Sequence, residues 1–584
     1  MSSDFDLEYM NECMEPFAFS CPDDEEYIAK LEEICRTYHQ TVDNVVDEIV
    51  SIMQNQKSKM VNLQVIENLE AKLEAKQAKE SSTPNARKPV RKPLADRTLA
   101  TISKDVEDVS EKIEQIDMTQ AWNSKMAGKY AEFSPYSNSP GNDAFLKRAD
   151  AGKCINTIRG SKYLERDAST SISHGAPLIE IISKLPQNYY GGDKASLIID
   201  AKISRCEAVA ARFRDAHAEI SDWGNPKEPS AEKVFTYGQV IHDDSNDNEK
   251  FSEFSTCLML DDEEGSILRI DFSKYQDDVT LFPGQIIALS GINETGECLV
   301  VEKIYTTPAF PLSKIENDVQ LNIWMAAGPF TSSENCGYEQ LCELLEHVER
   351  EQPDVLILTG PFVDRKNNYL TKPEFYSTYD MLLEDLFVKI EMKIASLKTQ
   401  IIIQPSSSRD SAILPVFPSS PFVFLGKRGF AKNMHFVADP AVVRIGDSGL
   451  EIAVTSSEVI THLSKFEYHR SSEQENTDRI ARLASHLLSQ RSMYPIEPAQ
   501  IPISMEDVIN VCELPKTAPH LFVTPCILAP FAKAVEHSAF INPSTLAKGS
   551  SGTYIKIATN FSPAATKNAK FNILHHSLVE IHKI

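Results

Sequence analysis

Residue patterns that would cradle phosphate or cut a bond are missing from this chain. There is no G-x-x-x-x-G-K-[ST] and no G-x-G-x-x-G, the glycine patterns that let backbone N–H groups surround phosphates. Lys548-Gly549-Ser550-Ser551-Gly552 reads as a flexible turn, because it lacks a strand before it and a helix after it. It is not G-x-S-x-G either, so a serine nucleophile elbow has no support. No H-E-x-x-H occurs. His575-His576 makes a poor chelate, since neighbours on a strand point to opposite faces. The 11 cysteines stand at irregular spacings with no C-x-x-C, which argues for reduced thiols and against a zinc ribbon.

The informative residues lie where very apolar short segments end, because open α/β sheets gather ligands beyond the carboxyl ends of their strands. A two-metal phosphoesterase needs Asp, Asn and His there, to hold two cations and activate water. Four such ends read Ala326-Ala327-Gly328-Pro329, Thr359-Gly360-Pro361-Phe362-Val363-Asp364, Gln404-Pro405-Ser406-Ser407-Ser408-Arg409-Asp410 and Thr524-Pro525-Cys526. Asp364 and Asp410 are their only carboxylates, and none of the four contains His. Hydroxyls and prolines do not replace several anionic and imidazole ligands.

These ends need elements to carry them, and 584 residues fit two to four domains. The 59 Lys+Arg against 84 Asp+Glu leave a net charge of −25, which disfavours binding to nucleic acid by bulk charge. With 42% hydrophobic residues and no run of about 18 apolar residues, a transmembrane helix is not expected. The acidic start is not that of a secretory signal. Residues 24–78 carry apolar residues at three- and four-residue steps, from Ile28 to Met53, which predicts a small helical domain over 1–79. An apolar groove for a partner peptide is the alternative. Residues 80–143 read as a flexible linker, broken by Pro89 and Pro93. Within it, Arg87, Lys88, Arg91 and Lys92 form a candidate nuclear-import cluster, with solvated linker charge the alternative. Thr83, Ser134 and Ser139 each precede a proline and are candidate phosphorylation sites.

Residues 144–312 are expected to hold an extended, irregular stretch to 190, a helix over 194–220 and five short strands between 233 and 305 that close as an OB-fold barrel. Residues 313–584 alternate short apolar strands with helices, predicting an α/β domain with a buried sheet and a helix over 375–397. The fold class is therefore multidomain α+β.

In this order the parts resemble the family of B subunits of DNA polymerase α–primase. The residues that carry the resemblance include Leu281-Phe282-Pro283-Gly284-Gln285, Gly291-Ile292-Asn293-Glu294-Thr295-Gly296 and Gly360-Pro361-Phe362-Val363-Asp364. Pro405-Ser406-Ser407-Ser408-Arg409-Asp410, Pro415-Val416-Phe417-Pro418, Gln490-Arg491-Ser492-Met493-Tyr494-Pro495 and Asn542-Pro543 continue it. The resemblance implies that 313–584 is a calcineurin-like phosphoesterase domain without its metal ligands. Where active relatives carry Asp-x-His, this chain has Ala326 and Gly328. Where they carry Gly-Asp-x-x-Asp it has Gly360, Pro361 and, retained, Asp364. Where they carry Gly-Asn-His-Asp/Glu it has Pro405, Ser406, Ser407 and Asp410.

The resemblance further implies no catalytic residue, no metal and no cofactor. It implies a nuclear scaffold that grips the C-terminal, zinc-bearing region of the catalytic subunit. The small and large primase subunits would be reached through the complex, and other replication factors through the N-terminal domain. Little direct DNA binding is expected, because the turns 243–249 and 261–264 on the barrel rim are rich in acid. No membrane partner is implied. The alternatives are the corresponding accessory chain of another replicative polymerase and an active metallophosphoesterase.

Overall fold

Segments such as Val355–Thr359 and Gln400–Gln404 are apolar along their whole length, the signature of strands covered on both faces. Every residue of both is buried in the computed structural model. The structure describes residues 130–584 apart from 131, 137–138, 166–176, 187–192, 244–250, 261–264, 374, 425–428, 472–477, 515, 550 and 569, together with scattered positions between 22 and 70. Thr83 and the cluster Arg87, Lys88, Arg91 and Lys92 lie outside the described residues, as do nearly all of the two acidic turns.

The chain divides into two units, 1–111 and 112–584. In the first, Leu31 and Ile34, Val45 and Ile49, and Val65 and Leu69 are helical and buried, at the three- and four-residue steps of a helix face.

In the second unit, strands β1 (Cys154–Arg159) and β2 (Ile179–Ile181) precede a long helix, Ala195–Ala216. Then come β3 (Ser230–His242), β4 (Thr256–Leu260), β5 (Ile267–Asp271), β6 (Val279–Leu281), β7 (Ile286–Asn293) and β8 (Cys298–Ile304). Strands β3-β4-β5-β8-β7 close into a barrel, with β5 and β8 its parallel pair. Five strands closed in this order form the OB arrangement expected from the sequence, and closure leaves no sheet edge exposed. Cys206, Val209 and Phe213 of the long helix pack on Ile286, Ala288 and Tyr305 of the barrel region.

The remainder is built in four layers. Strands β9 (Val319–Ala327), β10 (Val355–Thr359), β11 (Gln400–Gln404) and β12 (Met434–Phe436) run parallel. They are followed by β13 (Ala441–Ile445), β14 (Leu450–Val454), β15 (Tyr468–Arg470), β16 (Leu521–Val523), β17 (Phe531–Val535), β18 (Ser538–Asn542), β19 (Thr553–Phe561) and β20 (Ser577–Lys583). One sheet has the order β1-β20-β19-β9-β10-β11-β12 and the other β17-β18-β16-β14-β13-β2. Alternate side chains decide the layers. Ile323, Ile357 and Ile402 meet Val443, Ile452 and Ile541 between the sheets. Leu356, Leu358 and Ile403 face out to the helices Glu339–Glu351 and Tyr379–Ile394. Ala453, Phe522 and Phe540 face out to Val459–Phe466, Arg479–Ser489 and Met505–Val511.

Three expectations need correction. Residues 144–190 are extended as expected but not irregular throughout: β1 pairs antiparallel with β20, and β2 with β13, so this stretch supplies edge strands to both sheets and does not belong to the barrel. The exposure of nearly all of β1 explains why it carries no alternating pattern. The linker does not run to 143, because Tyr130, Phe133 and Phe145 are buried in the core on the helix side of the first sheet. The helix expected over 375–397 begins at Tyr379, where the Thr378 hydroxyl accepts from Met381 N at 3.2 Å and caps it.

Candidate functional site

The parallel strands β9, β10 and β11 deliver three predicted ends to one place. At Gly360 an added Cβ would collide with Asp410 Oδ2 and stand 2.5 Å from Ser406 N; at Gly328 it would collide with Pro361. These two glycines are therefore required by close approach of neighbouring strand ends. Ala326 is buried beside the helices and offers no polar group.

Asp364 and Asp410 come together as an isolated antiparallel bridge. Asp410 is wholly buried. Its Oδ1 accepts from Phe362 N at 2.6 Å and Val363 N at 2.9 Å, and its Oδ2 accepts from Ser406 N at 2.7 Å. Burial pushes the carboxyl up to about 7 against the pull of those N–H groups. Asp364 is instead held by Arg409, whose Nη2 lies 2.5 Å from Oδ2 and Nε 3.3 Å from Oδ1. Arg365 ties down the Asp410 carbonyl at 2.9 Å. A cavity of about 230 Å³ opens here, lined by Asp364, Lys366, Asn367 and Arg409, with Pro329 and Thr331.

The sequence reading missed a third carboxylate, Asp439. Its Oδ1 accepts from Thr455 Oγ1 and Ser456 N, both at 3.0 Å, and its Oδ2 from Ser456 Oγ at 2.6 Å and Ser407 Oγ at 3.0 Å. Burial raises its pKa against these hydrogen bonds. The signal was present: Asp439 stands just beyond β12, where the rule used for the other strand ends would have found it.

This donor set does not suit a dinuclear metal centre. Each carboxylate oxygen of Asp364, Asp410 and Asp439 already takes a hydrogen bond from the chain, and Arg409 with Lys366 puts cations where cations would have to bind. Among the described residues, one group of three potential ligands has its ligating atoms within 4.8 Å of one another. It is Cys154, Glu580 and His582, at the β1–β20 edge rather than at the strand ends.

Ser134 and Ser139 sit against the loop that follows β9. Ser134 Oγ donates to Cys336 O at 3.1 Å, and Ser139 Oγ accepts from Cys336 N at 2.7 Å. Asn335 Nδ2 donates to Pro140 O at 3.1 Å and to Glu339 Oε1 at 3.0 Å, and Glu339 Oε1 also accepts from Asn142 N at 3.1 Å. Thus the Ser-Pro segment is stitched to the loop whose Thr331 lines the cavity.

A second constellation joins the barrel to the layered part. Gln490 is buried, and its side-chain amide accepts from Ile286 N at 2.8 Å and donates to Ile286 O at 3.0 Å, acting as one more strand partner for β7. Glu497 takes Lys202 on one oxygen and Gln239 Nε2 on the other at 2.8 Å. Gly284 has φ +99, and a Cβ there would lie 2.5 Å from Glu497 N. Strand β6 pairs with β15, and next to it Glu467 receives a fork from Arg482 at 2.8 and 3.0 Å, with His486 at 3.3 Å and Thr280 Oγ1 at 3.2 Å. Burial acts to raise the Glu467 carboxyl, but these partners hold it down at about 2.

Comparison with known proteins places the whole chain. The family model shared by the B subunits of DNA polymerases alpha and epsilon matches residues 323–533. The model for the OB domain of the DNA polymerase alpha B subunit matches 198–307, and that for its N-terminal part matches 8–76. The chain is 48% identical to the DNA polymerase alpha B subunit of Caenorhabditis elegans over 96% of each chain. It is 25% identical to the protein of the same name in Mus musculus, over 92% of this chain and 93% of that one. To the one in Drosophila melanogaster it is 29% identical, over 56% and 52%.

Proposed function

The chain belongs to the family of DNA polymerase alpha B subunits, and on that premise we propose that it is the non-catalytic accessory subunit of a DNA polymerase alpha–primase complex. It scaffolds the catalytic subunit and primase for RNA–DNA primer synthesis, and the polymerase and primase activities reside on those partners. The layered part is a phosphoesterase-like domain turned to structural use. The observation that carries this is the closure of the strand-end carboxylates on the chain's own donors, with Arg409 in direct contact with Asp364. A polar cluster that cannot hold two cations can still hold strand ends together.

The barrel and the layered part present one continuous body to a partner, because Gln490, Glu497 and the β6–β15 pair lock them. That body grips the C-terminal, zinc-bearing region of the catalytic subunit, and the N-terminal helices recruit other replication factors. The setting is the nucleus. Joining modules in this way raises their effective concentration at a primer without a catalytic group. Thr83, Ser134 and Ser139 are modification sites in this scheme. Ser134 and Ser139 become available to a kinase only when their segment leaves Cys336.

The reading as the corresponding chain of another replicative polymerase is weaker, because two of the three matching family models carry the alpha name alone. Co-expression of residues 130–584 with the C-terminal region of a polymerase alpha catalytic subunit tests the proposal, with size-exclusion and light scattering as readout. A stable 1:1 species burying about 2,000 Å² or more is expected. Two separate peaks, each folded, overturn it.

A further inference from the structure

A second cavity, of about 570 Å³, opens where residues 182–184 after β2, Pro440 and the start of β13, the 491–493 turn and the end of the helix Met505–Val511 come together, and it shares no lining residue with the cavity at Asp364. That volume is in the range of pockets that take a small ligand or one or two side chains. Its charge runs against that of the whole chain. Among the described residues, Lys184, Arg212, Arg491 and Lys516 line it with a single carboxylate, Glu513, inside a protein of net charge −25. Arg212 Nη2 pairs with Glu513 Oε1 at 3.2 Å. Lys184 and Lys516 are exposed and make no ion pair among the described residues.

Arg491 is held in place by its backbone and by a ring. It adopts φ 47, a left-handed conformation uncommon for a side chain of its size, and its guanidinium lies 4.5 Å from the centre of Phe310. Its Nε is buried without a hydrogen-bond partner, and so is Ser183 Oγ on the cavity wall. Leaving a buried donor without a partner is costly, so Arg491 Nε marks where an acceptor belongs, and the Ser183 hydroxyl can take either a donor or an acceptor. Between the cations the wall is apolar, with Val442, Met493 and Leu514.

We propose that this cavity is a docking site for an acidic peptide segment of a partner polypeptide, with an apolar residue seated among Val442, Met493 and Leu514 and flanking carboxylates or phosphates on Lys184, Arg491 and Lys516. A peptide fits better than single-stranded nucleic acid, which needs aromatic faces for its bases. Among the described residues no aromatic side chain lines the cavity, and the ring of Phe310 is covered by Arg491. The site does not depend on the identity of the polymerase partner.

The test uses the full chain and fluorescence anisotropy. The probe is a labelled octapeptide with leucine and phenylalanine at its centre and glutamates on both sides. A control has lysines for the glutamates, and labelled oligo(dT) is a third probe. The acidic probe should bind saturably and more weakly as salt rises from about 50 to 300 mM. The lysine control should not bind. Lys184→Glu with Lys516→Glu should weaken binding about tenfold or more with the melting curve unchanged, and Arg491→Gln should do so without adding a charge. Co-expression with the catalytic subunit should still give the 1:1 species with the double variant, which separates this site from the assembly reading. Failure of the acidic probe to bind, equal binding by the double variant, or tighter binding of oligo(dT) through the same residues overturns the proposal.

Discussion

Asp410 and Glu467 are both buried carboxylates in the same unit, yet they are pushed in opposite directions, to about 7 and to about 2. Asp410 is surrounded by backbone N–H groups, and the nearby cation Arg409 is spent on Asp364. Dipoles alone do not offset the loss of water, so the neutral form gains. Glu467 faces the fork of Arg482 with His486 and Thr280, and the charged form gains. The strand-end cluster therefore closes on itself and needs no ion. At the seam, Glu467 with Arg482 and His486 forms a charged cluster of the layered part, and the Thr280 hydroxyl on β6 links that cluster to the barrel.

The sharpest way to break the comparison is steric. Gly360→Ala drives a Cβ into the Asp410 carboxylate and the Ser406 amide, atoms held by strand ends that cannot move apart. We expect a loss of roughly 4 kcal/mol or more, read as little soluble protein or a collapsed urea midpoint. A near-normal midpoint would show that the strand ends are loose. Glu467→Gln comes next, because it takes the charged partner of a fork away from the largely buried Arg482 and His486. About 3 kcal/mol should be lost, with the β6–β15 contact reporting first in hydrogen exchange. An unchanged midpoint would reduce the seam to ordinary packing.

The two pKa shifts sharpen the same contrast with opposite slopes. From about pH 4 to about pH 7 the folded state keeps a proton on Asp410 that the unfolded chain has released. This contribution to stability is full below pH 4, falls as pH rises and is gone above about 7. Glu467 works the other way, contributing fully above about 4.5 and losing that contribution as pH falls towards 2. Urea midpoints between pH 3 and 8 should therefore show a gentler alkaline decline in Asp410→Asn and a gentler acid limb in Glu467→Gln. If both variants flatten the same limb, the opposition of the two sites is wrong.

How much of this could be read in the sequence depends on whether a pattern is local. Apolar runs such as 355–359 and 400–404 announced buried strands, and the five barrel strands announced themselves through their turns. The strand-end rule finds Asp364 and Asp410 because both follow such runs; Asp439 follows the shorter strand signal at 434–437, an end to which the rule was not carried. Of β1 and β2 only the extended character was legible and not the pairing, since edge strands with exposed residues carry no alternation and their partners lie hundreds of residues away. The seam is likewise non-local. Gln490 reads as an ordinary helix-end residue until Ile286 is beside it.

The smallest effect concerns the Ser-Pro segment, which a composition rule assigns to a tether and the fold assigns to the cluster's outer wall. Ser139→Ala removes the acceptor for Cys336 N, and about 1 kcal/mol should go with it. Most of the cost should be local, because Tyr130, Phe133 and Phe145 still anchor the segment in the core. Phosphorylation at Ser139 is a harsher version of the same change, since three charged oxygens would have to replace a hydroxyl sitting near Glu339. A proline-directed kinase should therefore label Ser139 slowly in the intact chain and quickly in a short peptide that carries the same residues. The Ser139 rate should rise when Phe145→Ala loosens the anchor. Equal rates in the unaltered chain and in the peptide would mean that this segment leaves the wall freely, and that the cluster is closed by its own residues alone.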